Sequence, residues 1–482
     1  MVGDWKPVIG LEIHIQLKTR SKNFSPEGYE YGAEPNTLTH PVSLAYPGTL
    51  PVVNKKVVEY ATLLALALNA EIRKTFHFSR KNYFYPDLPK GYQITQYDTP
   101  ICENGYLHFK IGKTWKKVRI LRVQIEEDTG KSIHDIDPFY TLLDFNRAGV
   151  PLLELVTAPD INSPEEAQAF LVAVRQLVRH LGISDGNMEE GSLRCDANIS
   201  LIPPGEDKPG NRVEVKNLNS FRFLRKALEY EIERQRQIYE SGGTVERETR
   251  GFDAVKGVTF PMRTKEELHD YRYFPEPDMP PYELSQELLE GLKHKMPPLP
   301  FQLWKRYTEE LNLSEKEAEF LIEDLDISRF FEEALKSYNS PKSILKWLMG
   351  PVRASLNQNS ISIEQFPLSP QIIAKLAQIA DKEIVHFTVA SQKLFRELLK
   401  DPSKDPEKLI KELSLDQKAD DSSIEDVVRS VLQAFPEKIE QYHKGKTGLL
   451  GLFIGESMKK LKGKADPRKV KETVLKLLNK EQ

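Results

Sequence analysis

The chain is poor in cysteine. Cys102 and Cys195 are the only two cysteines among its 482 residues. Two cysteines are too few for a disulfide framework or for a cysteine cage around zinc. We therefore expect the protein to occupy a reducing compartment. Cys195 is expected on the apolar face of a strand.

Long apolar runs and a strong net charge are also lacking. The longest nearly apolar run, residues 61–68, is much shorter than the roughly 20 residues that cross a bilayer. The N-terminal residues 1–6 lead into a strand, with no apolar segment behind a basic start. These features predict a cytoplasmic protein that does not associate with membranes. The formal charge of −3 gives no overall sign of nucleic-acid binding.

A Walker-type phosphate loop is missing as well. Residues 444–447, Lys-Gly-Lys-Thr, match the end of that motif, but Glu440 stands where its first glycine is required. No predicted strand precedes the segment. A nucleotide would therefore have to bind elsewhere.

The sequence does contain a strand with an unusual polar face. Residues 192–200 alternate strictly between apolar and polar side chains, which predicts a strand with one face in a core. The apolar face consists of Leu193, Cys195, Ala197 and Ile199. The polar face carries Arg194, Asp196 and Asn198, and the acidic pair Glu189 and Glu190 precedes the strand. For one strand alone, an ordinary solvated sheet face explains this pattern better.

Three further segments repeat the alternation: residues 9–17, 118–128 and 212–216. Their polar side chains include Glu12, His14 and Gln16, then Gln124 and Glu126 followed by Glu127 and Asp128, and finally Arg212, Glu214 and Lys216. Same-face neighbours in a strand lie roughly 6.5 to 7 Å apart, so Glu12 and His14 can both reach one ion. Carboxylates suit Mg²⁺, which commonly accompanies nucleotide phosphates, and Arg and Lys suit phosphate oxygens. The pattern predicts a magnesium-phosphate site on an open sheet.

The length of the chain predicts two or three domains. Strands and helices mix in residues 1–294, with helices predicted at about 52–69, after Ser163, and at about 220–240. Clustered prolines end this part, residues 295–404 have a helical pattern, and a second interruption precedes residues 405–482. We predict an α+β fold: a domain of twisted, largely antiparallel strands with flanking helices, then an all-helical domain and a helical tail.

The tail is locally basic. Residues 443–482 contain eleven Lys and Arg against four Asp and Glu. Such a patch binds nucleic-acid backbones in some proteins, and in others it is a solvated helix surface. A second open alternative concerns the aromatic and basic residues 80–93, which form either a buried turn or a substrate-lining loop.

Long segments of the chain resemble one family, the B subunit of the aspartyl/glutamyl-tRNA(Asn/Gln) amidotransferase. The resemblance covers the whole first domain and part of the tail. Its segments are residues 8–14, 80–87, 126–132, 144–152, 188–200, 214–221, 270–278 and 445–467.

The resemblance implies a three-subunit, glutamine-dependent carbon–nitrogen ligase with a cradle-shaped first domain. An amidase subunit (A) would release ammonia, and a small subunit (C) would wrap the two larger ones together. The present chain would bind misacylated Glu-tRNA(Gln) or Asp-tRNA(Asn) and use ATP and Mg²⁺ to phosphorylate the side-chain carboxylate. Ammonia would then displace the phosphate. The sequence does not choose between the two tRNAs.

The resemblance also implies roles for particular residues. The metal ligands would be Glu12, His14, Glu126 and Glu190, with Glu127, Glu189 and Asp196 as alternatives. The ammonia path would include Lys90, Glu127, Tyr83 and Tyr85. The tRNA-binding residues of the tail would be Lys444, Lys446, Lys459, Lys460, Lys462 and Lys464. Arg194 and Lys216 are expected to neutralise phosphate, on chemical grounds. Residues 24–48 lack the cysteines of many bacterial relatives, so zinc is not expected.

Two other functions stay open at this stage. In one, the chain only docks tRNA and its partners while another subunit holds the nucleotide. In the other, it is a free-standing tRNA-directed ATPase. The sequence has no Ser/Lys or Cys/His hydrolase signature, so a source of ammonia within the chain itself is not expected.

Overall fold

The structure is a computed structural model that describes residues 5–262, 271–415, 421–461, 465 and 467–479. The chain divides into two compact units, Met1–Leu303 and Trp304–Gln482. Of the predicted residues, Lys462 and Lys464 lie outside the described residues, and so does Asp270 at the start of one resembling segment.

The first unit contains the strands. They are β1 (Lys6–Gln16), β2 (Glu71–Ile72), β3 (Thr75–Phe76), β4 (Ser79–Asn82), β5 (Tyr92–Thr95), β6 (Cys102–Ile111), β7 (Thr114–Glu127), β8 (Lys131–Ile133), β9 (Leu142–Asp144), β10 (Pro151–Thr157), β11 (Leu193–Ile202), β12 (Val213–Lys216), β13 (Glu248–Asp253), β14 (Val258–Pro261), β15 (Phe274–Pro275) and β16 (Tyr282–Glu283). Its helices are α1 (Lys55–Ala67), α2 (Pro164–His180), α3 (Phe221–Glu240) and α4 (Gln286–Lys295), and α5 (Pro300–Lys305) follows.

Nine of the strands form one sheet in the order β14-β13-β12-β11-β1-β10-β7-β6-β2. All pairings are antiparallel except that of β12 with β13. The alternating segments predicted from sequence are β1, β7, β11 and β12. Their apolar residues are buried in one continuous core, so the predicted division into apolar and polar faces is confirmed. Both cysteines are buried and unpaired.

Three helices cover the apolar face of the sheet. Helix α2 packs on α3 and β6, α3 packs on β11, and α1 packs on β7 and α4. The N-terminus of α2 is capped by Ser163, whose hydroxyl accepts a hydrogen bond from the Glu166 amide at 3.2 Å, and Ser220 caps α3 in the same way. Because the helices occupy one face, the polar side chains of the central strands remain on the other.

The second unit is helical. Its helices are α6 (Glu315–Ile322), α7 (Leu325–Ser337), α8 (Pro341–Trp347), α9 (Arg353–Asn359), α10 (Pro370–Asp381), α11 (Phe387–Val389), α12 (Phe395–Lys400), α13 (Pro406–Glu412), α14 (Asp421–Ala434), α15 (Pro436–His443), α16 (Leu449–Lys460) and α17 (Pro467–Leu478). Short π-helical segments occur at Arg306–Glu310, Leu348–Val352 and Ala390–Leu394. Side chains of α14, α16 and α17 form a separate small core around Phe453 and Val470.

The fold class predicted from the sequence, α+β with a helical C-terminal part, is confirmed. The division into three domains stays a prediction. Within the described part of the chain, no helix has both the length and the apolar composition needed to cross a bilayer.

Candidate metal and phosphate site

Strand β1 lies at the centre of the sheet and supplies the first two site residues. Antiparallel pairing places Glu12 opposite Asp196 of β11, and His14 opposite Arg194 of β11 on one side and Glu154 of β10 on the other. Directly opposite residues project to the same face of a sheet. Glu126 of β7 pairs with Leu152 of β10, two residues before Glu154, so it projects to the same face. Strands β1, β7, β10 and β11 therefore contribute side chains to one polar surface.

Glu12, His14 and Glu154 form the tightest cluster. Each offers a ligand atom, and these atoms all lie within 4.8 Å of one another. The His14 Nε2 atom lies 3.5 Å from a Glu154 carboxylate oxygen and 3.9 Å from one of Glu126. Glu126 and Glu154 are both buried, whereas Glu12 and His14 are half-buried.

The charges of this cluster are poorly balanced. Burial raises the pKa of Glu12 and of Glu126, and the nearby charge of Glu154 raises both further. Burial acts to lower the pKa of His14, but its hydrogen bond to Glu154 and the charges of Glu154 and Glu126 raise it overall. Crowded, buried carboxylates are penalised unless a counter-charge is present. The donor set therefore fits a divalent cation, and its carboxylate oxygens suit Mg²⁺.

Hydrogen bonds hold Glu126 in place. Thr95 donates a hydroxyl hydrogen bond to one carboxylate oxygen at 2.7 Å, and the Gln124 side-chain amide donates to the same oxygen at 2.9 Å. The second oxygen is the one nearest His14. This arrangement directs a single oxygen of Glu126 towards the cluster.

Sequence reasoning missed two residues of this surface, Glu154 and Lys81. Burial acts to lower the pKa of Lys81, but the charges of Glu126 and Glu154 raise it overall, so the ammonium interacts electrostatically with the cluster. It lies 5.1 Å from the centroid of the Tyr271 ring. Among the described residues, this ammonium makes no ion pair within 4.0 Å and no hydrogen bond.

The two cations predicted to neutralise phosphate already have acidic partners. Arg194 donates a hydrogen bond to Asp128 at 2.8 Å, and Lys216 donates one to Asp196 at 2.7 Å. Burial acts to raise the pKa of Asp128, but the charge of Arg194 lowers it overall. Both cations lie on the predicted polar face, and their role towards phosphate stays a prediction.

The acidic pair before β11 is exposed. Glu190 lines a cavity of about 180 Å³ together with Gln16 and Lys22, whereas Glu189 donates its backbone amide to the Asn187 side chain. Among the described residues, neither glutamate belongs to the group of ligand atoms around His14, and Asp196 does not either. Their assignment as metal ligands stays a prediction.

Two of the residues predicted to line an ammonia path are paired with each other. Lys90 and Glu127 form a close ion pair, and the same Glu127 carboxylate accepts the Ile94 amide at 2.9 Å. The Tyr83 hydroxyl is 3.4 Å from the Gln93 side chain, and Tyr85 is exposed. Glu127 follows Glu126 directly on β7, so the Lys90–Glu127 pair adjoins the carboxylate cluster in sequence.

Four of the predicted tail lysines are described, and all of them are exposed. They are Lys444, Lys446, Lys459 and Lys460. The last two lie at the C-terminal end of α16, where cations interact favourably with the helix dipole.

Comparisons with known proteins agree with the resemblance. Residues 7–290 match the family model of the GatB/GatE catalytic domain, and residues 329–478 match that of the GatB domain. The chain is 47% identical over 476 residues to the B subunit of the aspartyl/glutamyl-tRNA(Asn/Gln) amidotransferase of Persephonella marina, with 98% of this chain and 100% of the relative covered. Proteins of the same name from Thermodesulfovibrio yellowstonii and Coxiella burnetii (strain CbuG_Q212) are 45% and 46% identical; 98% of this chain is covered in each case, with 99% and 100% of the relatives. The chain belongs to the family of B subunits of the aspartyl/glutamyl-tRNA(Asn/Gln) amidotransferase.

Proposed function

We propose that this chain activates the side-chain carboxylate of misacylated Glu-tRNA(Gln) or Asp-tRNA(Asn) by ATP-dependent phosphorylation and then transfers ammonia to it. The observation that carries the proposal is the convergence of Glu12, His14 and Glu154 within 4.8 Å, with Glu126 beside them. A carboxylate is a poor acyl donor until one of its oxygens becomes a good leaving group. An acyl phosphate provides that leaving group.

The residues that would hold Mg²⁺ are Glu12, His14, Glu126 and Glu154. When bound, the ion would neutralise charge on the nucleotide phosphates. The raised pKa values of Glu12 and Glu126 reflect burial beside Glu154 and indicate that this set favours an added positive charge. The His14 Nε2 atom lies near the Glu154 carboxylate. This nitrogen can bind a metal ion only when it carries no proton, so ion binding would require the neutral imidazole of His14.

Phosphoryl transfer depends on charge neutralisation and positioning more than on a protein nucleophile. Lys81 is the cation best suited to that role, because its ammonium has no ion pair among the described residues. Arg194 and Lys216 stand on the same face, each paired with an aspartate that an incoming phosphate would have to displace.

Ammonia must reach the activated carbonyl unprotonated. In the proposed path, the Glu127 carboxylate accepts a proton from ammonium while Lys90 holds that carboxylate in position. Adjacent residues of a strand point in opposite directions. Glu126 and Glu127 therefore link the proposed path to the phosphorylation site across one strand.

The proposed working form is a heterotrimer in the cytoplasm with the amidase subunit and the small subunit. The amidase subunit would supply ammonia from glutamine. The exposed lysines of the tail would contact the phosphate backbone of the tRNA. No zinc is included in this proposal.

The test uses the assembled complex with the variants Glu12→Ala and His14→Ala. Each removes one predicted ligand, so we expect ATP-dependent amidation to be lost while glutamine hydrolysis by the amidase subunit persists. Lys55→Ala, which changes an exposed residue at the start of helix α1, is the control that keeps amidation. Amidation that survives both ligand changes would contradict the proposal and favour the tRNA-docking alternative.

A further inference from the structure

Strand β7 extends beyond its neighbour β6, and its last residues are the two carboxylates Glu126 and Glu127. Strand β6 begins at Cys102, which lies opposite Val123. On the other edge, β10 pairs with β7 as far as Glu127. Within the described part of the chain, residues 124–127 therefore have a sheet neighbour along one edge only.

Two glutamine side chains take the place of the missing neighbour. The Gln96 side-chain oxygen accepts a hydrogen bond from the Ile125 amide at 2.9 Å, and the Gln93 side-chain amide donates one to the Glu127 backbone oxygen. Backbone groups of residues two apart in a strand face the same edge. Buried backbone groups need such partners, so Gln93 and Gln96 complete the hydrogen bonding of β7 where β6 no longer reaches it.

Gln96 also fixes the residue that holds Glu126. Its side-chain oxygen accepts a second hydrogen bond, from the Ile101 amide at 3.1 Å, which ties residues 96–101 to β7. Thr95 precedes Gln96 directly and donates its hydroxyl hydrogen bond to the Glu126 carboxylate. A displacement of Gln96 would therefore also displace the Thr95 hydroxyl from Glu126.

Both glutamines are buried: Gln96 is 0% exposed and Gln93 is 7% exposed. Burying a side-chain amide costs free energy that its hydrogen bonds must offset. The Gln96 amide nitrogen has no hydrogen-bond partner among the described residues. The bonds that account for a glutamine at this position are therefore the two that its oxygen accepts, and one of them is made to β7.

We propose that Gln93 and Gln96 are positioning residues for the candidate metal site, which hold the end of β7 so that Glu126 faces His14 while Glu127 faces Lys90. The inference rests on the proposed function, because the glutamines act on metal binding through Glu126. Neither glutamine is itself a ligand. Side chains that orient metal ligands commonly change metal affinity by about 10- to 100-fold when they are replaced.

The experiment measures Mn²⁺ binding to the full chain by electron paramagnetic resonance, with the variants Gln96→Met and Gln93→Met. Methionine has a similar length to glutamine but cannot make these hydrogen bonds. We expect each variant to raise the Kd for Mn²⁺ by about tenfold or more. Circular dichroism shows whether each variant is folded, and Gln93→Met decides alone if Gln96→Met is not.

Two further variants separate positioning from stability. Gln96→Glu keeps an oxygen that accepts both amides, and its charge does not oppose a cation, so it is expected to bind Mn²⁺ at least as tightly as the wild type. Gln235→Met is the matched control: Gln235 is fully buried in α3 and donates a hydrogen bond to Glu231 at 3.2 Å. We expect its stability to fall while Mn²⁺ affinity stays as in the wild type, because α3 covers the opposite face of the sheet.

The proposal is overturned if a folded methionine variant at position 93 or 96 binds Mn²⁺ as the wild type does, or if Gln96→Glu binds it more weakly. Failure of the proposed function gives a different result. In that case Glu154→Gln, which removes a ligand, also has wild-type affinity, and both proposals fall. If Glu154→Gln binds weakly while the methionine variants bind as the wild type does, only the positioning role is wrong.

Discussion

Charge crowding is the dominant feature of the candidate site at the scale of single residues. Glu12, Glu126 and Glu154 lie close together, and burial raises the pKa of the first two. Burial acts to raise the pKa of Glu154 as well, but the hydrogen bond and charge of His14 lower it overall. Solvated acidic surfaces do not produce this pattern. It is typical of a site that is completed by a cation.

The Arg80–Glu276 pair gives a testable prediction for the residues that support the site. Arg80 donates two hydrogen bonds to Glu276, whose side chain is fully buried, so Arg80→Ala leaves a buried carboxylate without its partner. We expect the free energy of unfolding of the first unit to fall by about 3 kcal/mol. Urea unfolding of the full chain measures it, and hydrogen exchange at residues 271–278 should accelerate at the same time.

Arg119→Ala is the matched control. Arg119 also makes a two-bonded pair, with Asp160, but its side chain is 67% exposed. Exposed pairs contribute little to stability, so we expect a small change. Equal effects of the two substitutions would show that Arg80 does not hold residues 271–278 in place.

At the residue scale, the alternation placed Glu12, His14 and Glu126 on polar strand faces. The family resemblance singled out these three as ligands, together with Glu190. Glu154 was missed because β10 reads Pro-Leu-Leu-Glu-Leu-Val-Thr, an apolar run with no alternation. A single carboxylate in such a run was the available signal, since a buried charge requires a partner. Lys81 lies in a strand of four residues, which is too short to show a period.

At the scale of secondary-structure elements, the long alternating strands and the capped helices were predictable from the sequence, whereas the short strands were not. The alternation of β7 and β11 and the caps of α2 and α3 are local signals, and the structure confirms those elements. Strand β15 has only two residues, and its pairing with β4 is what makes it a strand. Contacts between remote segments, which no local pattern encodes, therefore bring Tyr271 to the site.

Helix α16 carries the prediction that belongs to this scale. Lys459 and Lys460 are exposed at its end, so the double change Lys459→Gln and Lys460→Gln removes two cations without placing an anion at the helix C-terminus. If both contact tRNA phosphates, we expect weaker tRNA binding and a decrease of roughly 2 in the slope of log K against log salt. Filter binding at several salt concentrations measures this slope.

Lys336→Gln with Lys400→Gln is the corresponding control. Both lysines are exposed, in α7 and α12, and each makes an exposed ion pair within its own helix. We expect tRNA affinity and salt slope to stay as in the wild type. An unchanged slope in the α16 variant would remove that end of the helix from the proposed tRNA contact.

At the scale of the whole molecule, the proposed chemistry depends on strand order. Placing β1 between β10 and β11, with β7 beyond β10, brings residues 12, 14, 126 and 154 onto one surface. The sequence indicated that such a surface exists but not which strands are adjacent, because the pairing is set by packing of the apolar face against α1, α2 and α3. The family resemblance supplied the expected ligands and substrates, but it named Glu190 and not Glu154.

The most direct test of this convergence is the binding of Mn²⁺, as a spectroscopic substitute for Mg²⁺, to the full chain, followed by electron paramagnetic resonance. The account predicts one site in the wild type, weakened by about tenfold or more in Glu154→Gln because a ligand is lost. Glu59→Gln, a change on helix α1 away from the polar face, should bind as the wild type does. Wild-type affinity in Glu154→Gln would contradict the account.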